Sequence, residues 1–449
     1  MIYDILIIGG GAAGLMAAYG AASQAGPNGS LPNVAVLEKM PRPGRKIMIT
    51  GKGRCNFTNA KPWEEFSAHI RSKANFLRPA FYSFSPEDCL RHISEHGVET
   101  VVERGDRAFP ASHRSSDIVD ALAEAATKAG AVIRTGFEAE NIVRNESAAG
   151  SIFLVSCKGS RTISARRLII ATGGLSYPGT GSTGDGYGWA QSFGHSIKEC
   201  FPSLTAIVPK GYKTSSARGH IERGTPLSEI GKALCGNQLK NIRFTLFSSQ
   251  DELQSEFGDL DFTDGGIEGP VGFKVSRNAV KAILNGARLS AVLDMKPEVR
   301  PEELTARISS LWNDIGKDPR SRSLNVRARL KVLLGKLMPQ SLIAGFTACH
   351  REIICGAKGH ERIDFKAVTS RIKEWRFDLD GYVGYERAVV TAGGVSTDEV
   401  VSKTMESKKC GGLYFCGEVL DIDADTGGYN LQLAFSTGYL AGVSAAKSL

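Results

Sequence analysis

Disulfide chemistry has little footing in this 449-residue sequence. Its nine cysteines are an odd number and no two stand as C-x-x-C, so neither a disulfide framework nor a zinc ribbon is indicated. A reducing, cytoplasmic compartment is the expected setting. Prolines number only 17 and no Gly-X-Y period is visible, which excludes a Pro/Gly-rich disordered chain and collagen. No segment reaches about 18 uninterrupted apolar residues, so no membrane partner is expected. The opening MIYDILIIGGGAAGLMAAYGAA lacks a basic leader, carries Asp4 and is broken by glycines, so it does not read as a secretory signal. Charge of one sign is scarce too. The 55 Lys and Arg against 47 Asp and Glu leave +8 and a pI of 8.9. That balance permits an anionic ligand or nucleic acid and demands neither.

Glycine is what the chain has in excess: 51 residues, against a usual share of roughly 7%. The segments 9–14, 44–53, 173–188 and 393–442 hold 23 of them. Glycine concentrated this way marks backbone that turns tightly or lies close against something.

The first of these segments sits in a readable context. Residues 3–8 (YDILII) read as a strand, 13–23 as a helix of small residues and 34–37 (VAVL) as a second buried strand. Between strand and helix, Gly9-Gly10-Gly11-Ala12-Ala13-Gly14 fits G-x-G-x-x-G. Gly9 allows the tight turn, Gly11 a close backbone approach to a pyrophosphate, and Gly14 close helix–strand packing. The helix N-terminus offers N–H groups to the phosphates. Glu38, at the end of VAVLEK, is placed to accept adenosine ribose hydroxyls, and a 2′-phosphate there would meet like charge.

That pattern suits NAD or FAD equally, and the next segment favours FAD. In GRKIMITGKGRCNFTN (44–59), Gly51 and Gly53 permit close approach, while Arg45, Lys46, Lys52 and Arg54 bring charge. Further on, LIIATGG (168–174) is a strand running into the turn Thr172-Gly173-Gly174. Glycines 179, 181, 184, 186 and 188 then recur too often for a regular element, so an ordered loop lining a site or a mobile lid is expected. Near the C-terminus a strand LYFC leads into Gly417-Glu418, a short loop, GGYN and a small-residue helix. Asn430, Leu431 and Gln432 are expected to present N–H groups whose dipole stabilises negative charge on a reduced flavin.

Elsewhere, 115–129 reads as an amphipathic helix with Ser116 as N-cap, and 131–134, 151–157 and 162–171 read as strands. From 200 to 300, short β-like pieces (LTAIVP, RFTLFS, SAVLDM) stand between turn residues, 301–344 looks helical, and 368–390 returns to short strands. The fold class expected is α/β: a Rossmann-like FAD-binding domain from both chain ends, interrupted by a β-rich insert. The expected divisions are 1–195 and 385–449 for the FAD domain, 196–300 and 345–384 for the insert, and 301–344 for a helical subdomain.

The segments IIGGGAAGLMAA, GRKIMITGKGRCNFTN, SYPGTGSTGDGYGWAQSFGH, GIEGPVGFKVSR, TAGGVSTDEV and GLYFCGEVLDIDADTGGYNLQLAFSTGYLAG resemble a bacterial family of NAD(P)/FAD-dependent oxidoreductases. That family includes aminoacetone oxidase-type and 3-dehydro-bile-acid reductase-type members. The resemblance implies a glutathione-reductase-like FAD domain with a β-barrel-like insert carrying a small helical subdomain. It places FAD against Gly9, Gly11, Ala12, Ala13 and Gly14, and against Glu38, Lys39, Arg45 and Lys46. It adds Gly53, Arg54, Cys55 and Asn56 from the Gly51–Asn56 loop, then Ala139 and the Thr172, Gly173 and Gly174 turn. Gly417, Glu418, Asn430, Leu431 and Gln432 complete the set. TDGGIEGP (263–270) departs from relatives, which tend to begin this loop with a Thr-His-Phe-Gly-type run, so the resemblance implies no role for that loop here.

The implied reaction is hydride transfer between flavin and a small organic substrate, with NAD(P)H as a candidate transient donor. No dedicated NAD(P)H domain is visible, and GAKGH (356–360) lacks the spacing of a second dinucleotide turn. An amine oxidase-type enzyme using oxygen is one alternative. An RNA-modifying or RNA-binding flavoprotein is another, because residues 300–375 hold fifteen Lys/Arg against eight Asp/Glu. The simpler reading of RSRSLNVRARLKVLLGK is a solvated basic helix, and a non-turning flavin sensor is a third possibility. No nucleophilic triad can be assembled, the eight histidines show no metal spacing, and no catalytic residue is assigned. Cys55 as a redox thiol is weighed against a buried role, and Tyr177, Arg54 and Tyr429 are substrate-side candidates.

Overall fold

The computed structural model describes residues 2–147, 150–159, 161–215, 217–321, 323–357 and 361–449. Arg322 of the basic run and His360 of GAKGH lie outside the described residues. The chain divides into two compact units, Met1–Phe201 with Val389–Leu449, and Pro202–Ala388.

The first unit is built on a sheet that begins with Ile2–Ile8. This strand pairs in parallel with Val34–Glu38 on one side and Arg161–Ile170 on the other. Val132–Thr135 extends the parallel order beyond Val34–Glu38, and Leu413–Phe415 pairs with the end of Arg161–Ile170. Ala139–Ser147 and Gly150–Cys157 join as an antiparallel ribbon against the start of Arg161–Ile170. The central strands are buried almost throughout, as continuous β-branched runs covered on both faces require.

Helix Ala12–Ala22 and the C-terminal helix Tyr429–Lys447 cross at very short range. A Cβ on Gly438 would stand 2.2 Å from the Ala13 carbonyl oxygen, and one on Gly442 would stand 2.1 Å from that of Ala17. Small residues here let one backbone rest on the other, which accounts for part of the C-terminal glycine excess.

The second unit contains a closed barrel. Its strands run Ile207–Pro209, Ile267–Glu268, Asp251–Phe262, Gln238–Ser248, Leu289–Asp294 and Trp375–Val383, and the last pairs back with the first. Leu289–Asp294 alternates buried and half-buried positions, the period-2 signature of a barrel wall. Helix Gly269–Leu284 packs Val271, Val275, Ala279 and Val280 inward. Trp375, fully buried, stacks on Phe377 with ring centroids 5.1 Å apart.

Two local expectations are corrected. Residues 368–373 are helical, not strand: Phe365–Lys373 is a helix whose start is held by Asp364, which accepts from the Ala367 N–H at 3.0 Å. Ser116 is not an N-cap, because the helix Ser115–Lys128 begins one residue earlier. Its neighbour Ser115 donates instead to the Met48 carbonyl at 2.7 Å.

Candidate functional site

The site lies wholly in the first unit and begins at the glycine turn. Gly9 has φ +104, and a Cβ there would stand 2.5 Å from the Ala171 carbonyl oxygen. A Cβ on Gly14 would fall 1.8 Å from the Gly9 carbonyl oxygen, so helix and strand could not close with any larger residue. Gly11 is different. Nothing lies within 4 Å of where its Cβ would be, and it lines an open cleft with Ala12 and Ala13. The helix they begin has no side-chain cap and no acidic residue in its first turn. Its positive end is therefore left for an anion.

Glu38 is 8% exposed and faces the same cleft. Its Oε2 accepts the Gly10 N–H at 2.8 Å and its Oε1 the Met40 N–H at 2.7 Å. Burial raises its carboxyl above the usual range, against the pull of those two N–H groups and of Lys39 and Arg45. Each oxygen keeps acceptor capacity for a ribose hydroxyl.

The cleft holds about 1280 Å³ of empty space, counting its open mouth. Gly9, Gly11, Ala12, Ala13, Glu38, Lys39, Arg45, Lys46, Ala139, Thr172, Gly173, Glu418, Asn430 and Leu431 all line it. Residues from the two ends of the chain thus share one wall. Lys46 and Glu418 pair with each other at 2.5 Å, and the other Glu418 oxygen accepts the Thr391 N–H at 2.7 Å. Asn430 turns its side chain away, onto the Ala424 N–H at 2.9 Å and the Ala424 carbonyl at 2.8 Å. The C-terminal helix starts at Gly428, φ +97, with no side-chain cap.

Several expected residues do not line the cleft. Gly14 and Gly174 are packing positions: a Cβ on Gly174 would stand 2.5 Å from Thr391 Oγ1, and one on Gly417 would stand 2.6 Å from the Ala13 Cβ. Gly53, Arg54, Cys55 and Asn56 also stand outside the lining. Arg54 pairs with Glu103 and lies 4.4 Å over the Phe109 ring. Cys55 is fully buried, and burial pushes its thiol up to about 12. A thiol so placed is a poor redox nucleophile. Gln432 cannot present its N–H, which already donates to the Gly428 carbonyl at 3.1 Å. Its side chain bridges the Phe84 carbonyl at 2.9 Å and the Thr58 hydroxyl at 2.6 Å. Tyr429 is buried against His69, with ring centroids 4.3 Å apart. In the second unit, Asp264 of the divergent TDGGIEGP loop pairs with Arg387 at 2.8 Å.

The cleft is also lined by Thr180, Gly181, Ser182 and Asp185, within the glycine-rich run expected to form a site-lining loop or lid, and by Thr50, Phe137 and Trp189, which the sequence did not single out. The glycine spacing between 179 and 188 was the available signal.

These residues fit an extended dinucleotide. Gly11 leaves room for a pyrophosphate at a helix N-terminus, and Glu38 offers buried acceptors to a ribose. Thr172 lines the same space, with its Oγ1 buried beside Gly186 and without a hydrogen-bond partner among the described residues. Among the described residues no group of three or more His, Cys, Asp or Glu could hold a metal ion, and no helix is long and apolar enough to cross a membrane.

Fold and cleft together define a Rossmann-type protein whose cleft fits a dinucleotide. Residues 3–444 match the HI0933-like protein Rossmann domain, and the chain belongs to that family. It is 30% identical to the 3-dehydro-bile acid delta(4,6)-reductase of Clostridium scindens, over 98% of both chains. It is 29% identical to the ribosomal RNA dihydrouridine synthase of Escherichia coli, over 99% of both. Among solved structures, 3-ketosteroid delta1-dehydrogenase from Sterolibacterium denitrificans shares the fold, with a TM-score of 0.50 and 12% identity over 100% of both chains.

Proposed function

We propose that this enzyme saturates a carbon–carbon double bond conjugated to a carbonyl in a small organic substrate, with NAD(P)H as the transient donor. The observation that carries the reading is the cleft itself, which joins a pyrophosphate turn, a buried ribose carboxylate and the uncapped start of the C-terminal helix. Held there by Gly11, Ala12, Ala13, Glu38 and the start of the C-terminal helix, FAD would supply hydride transfer to an electrophilic carbon. The chain's part is to hold the cofactor and to favour its negatively charged reduced form. The N–H groups of Asn430 and Leu431, at the positive end of a 19-residue helix, suit that task.

The choice of bond comes from the relatives. A 3-dehydro-bile acid delta(4,6)-reductase acts on double bonds conjugated to a 3-ketone, and a dihydrouridine synthase acts on the uracil double bond conjugated to its 4-carbonyl. The two names share one chemistry on very different substrates. Anaerobic spectroscopy tests it: NADH or NADPH should bleach the bound flavin, and an α,β-unsaturated ketone should restore its colour. Bleaching by small amines, with peroxide on aeration, would favour the oxidase reading instead.

Charge gives a second reading specific support. Residues 202–388 carry 29 Lys and Arg against 22 Asp and Glu, a surplus of seven out of the chain's eight. A basic unit of this kind suits an RNA substrate. Salt-sensitive retention of ribosomal RNA by the holoenzyme would support that reading. Turnover of a free enone with no affinity for RNA would oppose it.

A further inference from the structure

The glycine-rich loop after the Thr172 turn is built as a strap across the cleft. Its outer residues Pro178, Gly179 and Thr183 stand toward solvent, while Thr180, Gly181 and Ser182 line the space. One root is fixed: the Thr391 hydroxyl accepts the Leu175 N–H at 2.8 Å and the Ser176 N–H at 3.1 Å. At its other end the strap reaches Asp185, the first residue of a short helix that ends at Ser192. Between them the loop reaches the opposite wall. Gly181 rests against Met40, whose Cγ would be 3.0 Å from a Cβ there. Lys39 then holds Asp185 at 2.6 Å and also donates to the Thr183 hydroxyl.

Lys39 directly succeeds Glu38 in the chain, so this contact crosses the cleft beside the ribose carboxylate. We propose that residues 177–185 are a gate for FAD, and that the Lys39–Asp185 ion pair is its latch. The cofactor loads and leaves only when the pair opens and the strap, released at its Asp185 end, swings on its Leu175–Ser176 root. The glycines at 181 and 184, with φ of +107 and +81, supply the backbone freedom for that swing. The proposal rests on FAD being the occupant of the cleft.

A gate and a contact leave different kinetic marks. Losing a contact speeds release alone, whereas loosening a gate speeds uptake as well, even when the altered residue also lines the cleft. The experiment is stopped-flow flavin fluorescence on the full chain, comparing wild type with Lys39→Met, Asp185→Asn and the double variant. Equilibrium FAD binding is measured first, and failure of wild type to take up FAD would remove the occupant and this proposal together. With binding established, both rate constants should rise about two- to fivefold in each single variant, as the loss of a partly exposed pair allows. The double variant should be no faster than either single one. Raising the ionic strength should speed exchange in wild type but not in Asp185→Asn, a check that needs no comparison of stabilities. A rise in the release rate alone, or effects that multiply in the double variant, would overturn the gate.

Discussion

The Gly10 backbone N–H donates to Glu38 Oε2 at 2.8 Å, joining the glycine turn to the end of the second strand before any nucleotide arrives. The carboxylate proposed to take the ribose is thereby held in place, and its burial keeps its proton affinity raised. Glu38→Gln should retain one acceptor oxygen and lose the charge. FAD affinity should fall by about tenfold or more, since a hydrogen bond to a charged group is worth about 1.5–3 kcal/mol. Equilibrium flavin titration reads this, and unchanged affinity would remove Glu38 from the site.

Two glycines of the same turn, Gly11 and Gly14, should respond in opposite ways. Gly14→Ala puts a methyl 1.8 Å from a carbonyl oxygen. It should destabilise the protein by about 1–3 kcal/mol, read by denaturant unfolding. Gly11→Ala meets nothing within 4 Å and has an ordinary φ of −81. The FAD-free protein should unfold as wild type does, while FAD affinity drops. Equal damage to stability by both variants would contradict the assigned division of roles.

That contrast shows what was legible in the sequence. The turn, its strand and its helix lie within about twenty residues, so spacing alone decides which glycine turns, which packs and which faces the ligand. The Lys46–Glu418 pair was not legible, because its partners stand 372 positions apart and each reads separately as a cofactor contact. Gln432 misled for a different reason. Its place near a helix start suggested a free N–H, but the fourth residue after Gly428 already closes the first helical hydrogen bond. The barrel was expected from the family resemblance and not from strand patterns, since its closure depends on the three-residue strand Ile207–Pro209 meeting the strand Trp375–Val383.

Acid should unfold the protein through its buried histidines. Burial first, and then the charge of His96, lowers His92 from 6.5 to about 4. The ring sits 4.4 Å from Tyr19. A depressed folded-state value means that its contribution is fully present above about pH 6.5 and is lost as the pH falls through about 4. The loss is on the order of 3 kcal/mol. His92→Phe should flatten stability between those limits. His350, lowered to about 4 in the second unit, should leave a smaller residual slope.

Cys55 should be inert in the native state. With its thiol held at about 12 by burial, thiol reagents should not label it until the protein unfolds. Cys55→Ala should keep the flavin's reduction by NAD(P)H. Loss of reduction with FAD still bound would restore a redox thiol to the mechanism.

The most direct measurement tracks the flavin spectrum of the purified holoenzyme without oxygen, first with NADH or NADPH and then with an α,β-unsaturated ketone. Bleaching and then return of the oxidised spectrum, with one saturated product formed for each flavin reoxidised, is the expected result. A protein that binds no FAD, or a reduced flavin that only oxygen can reoxidise, would contradict it.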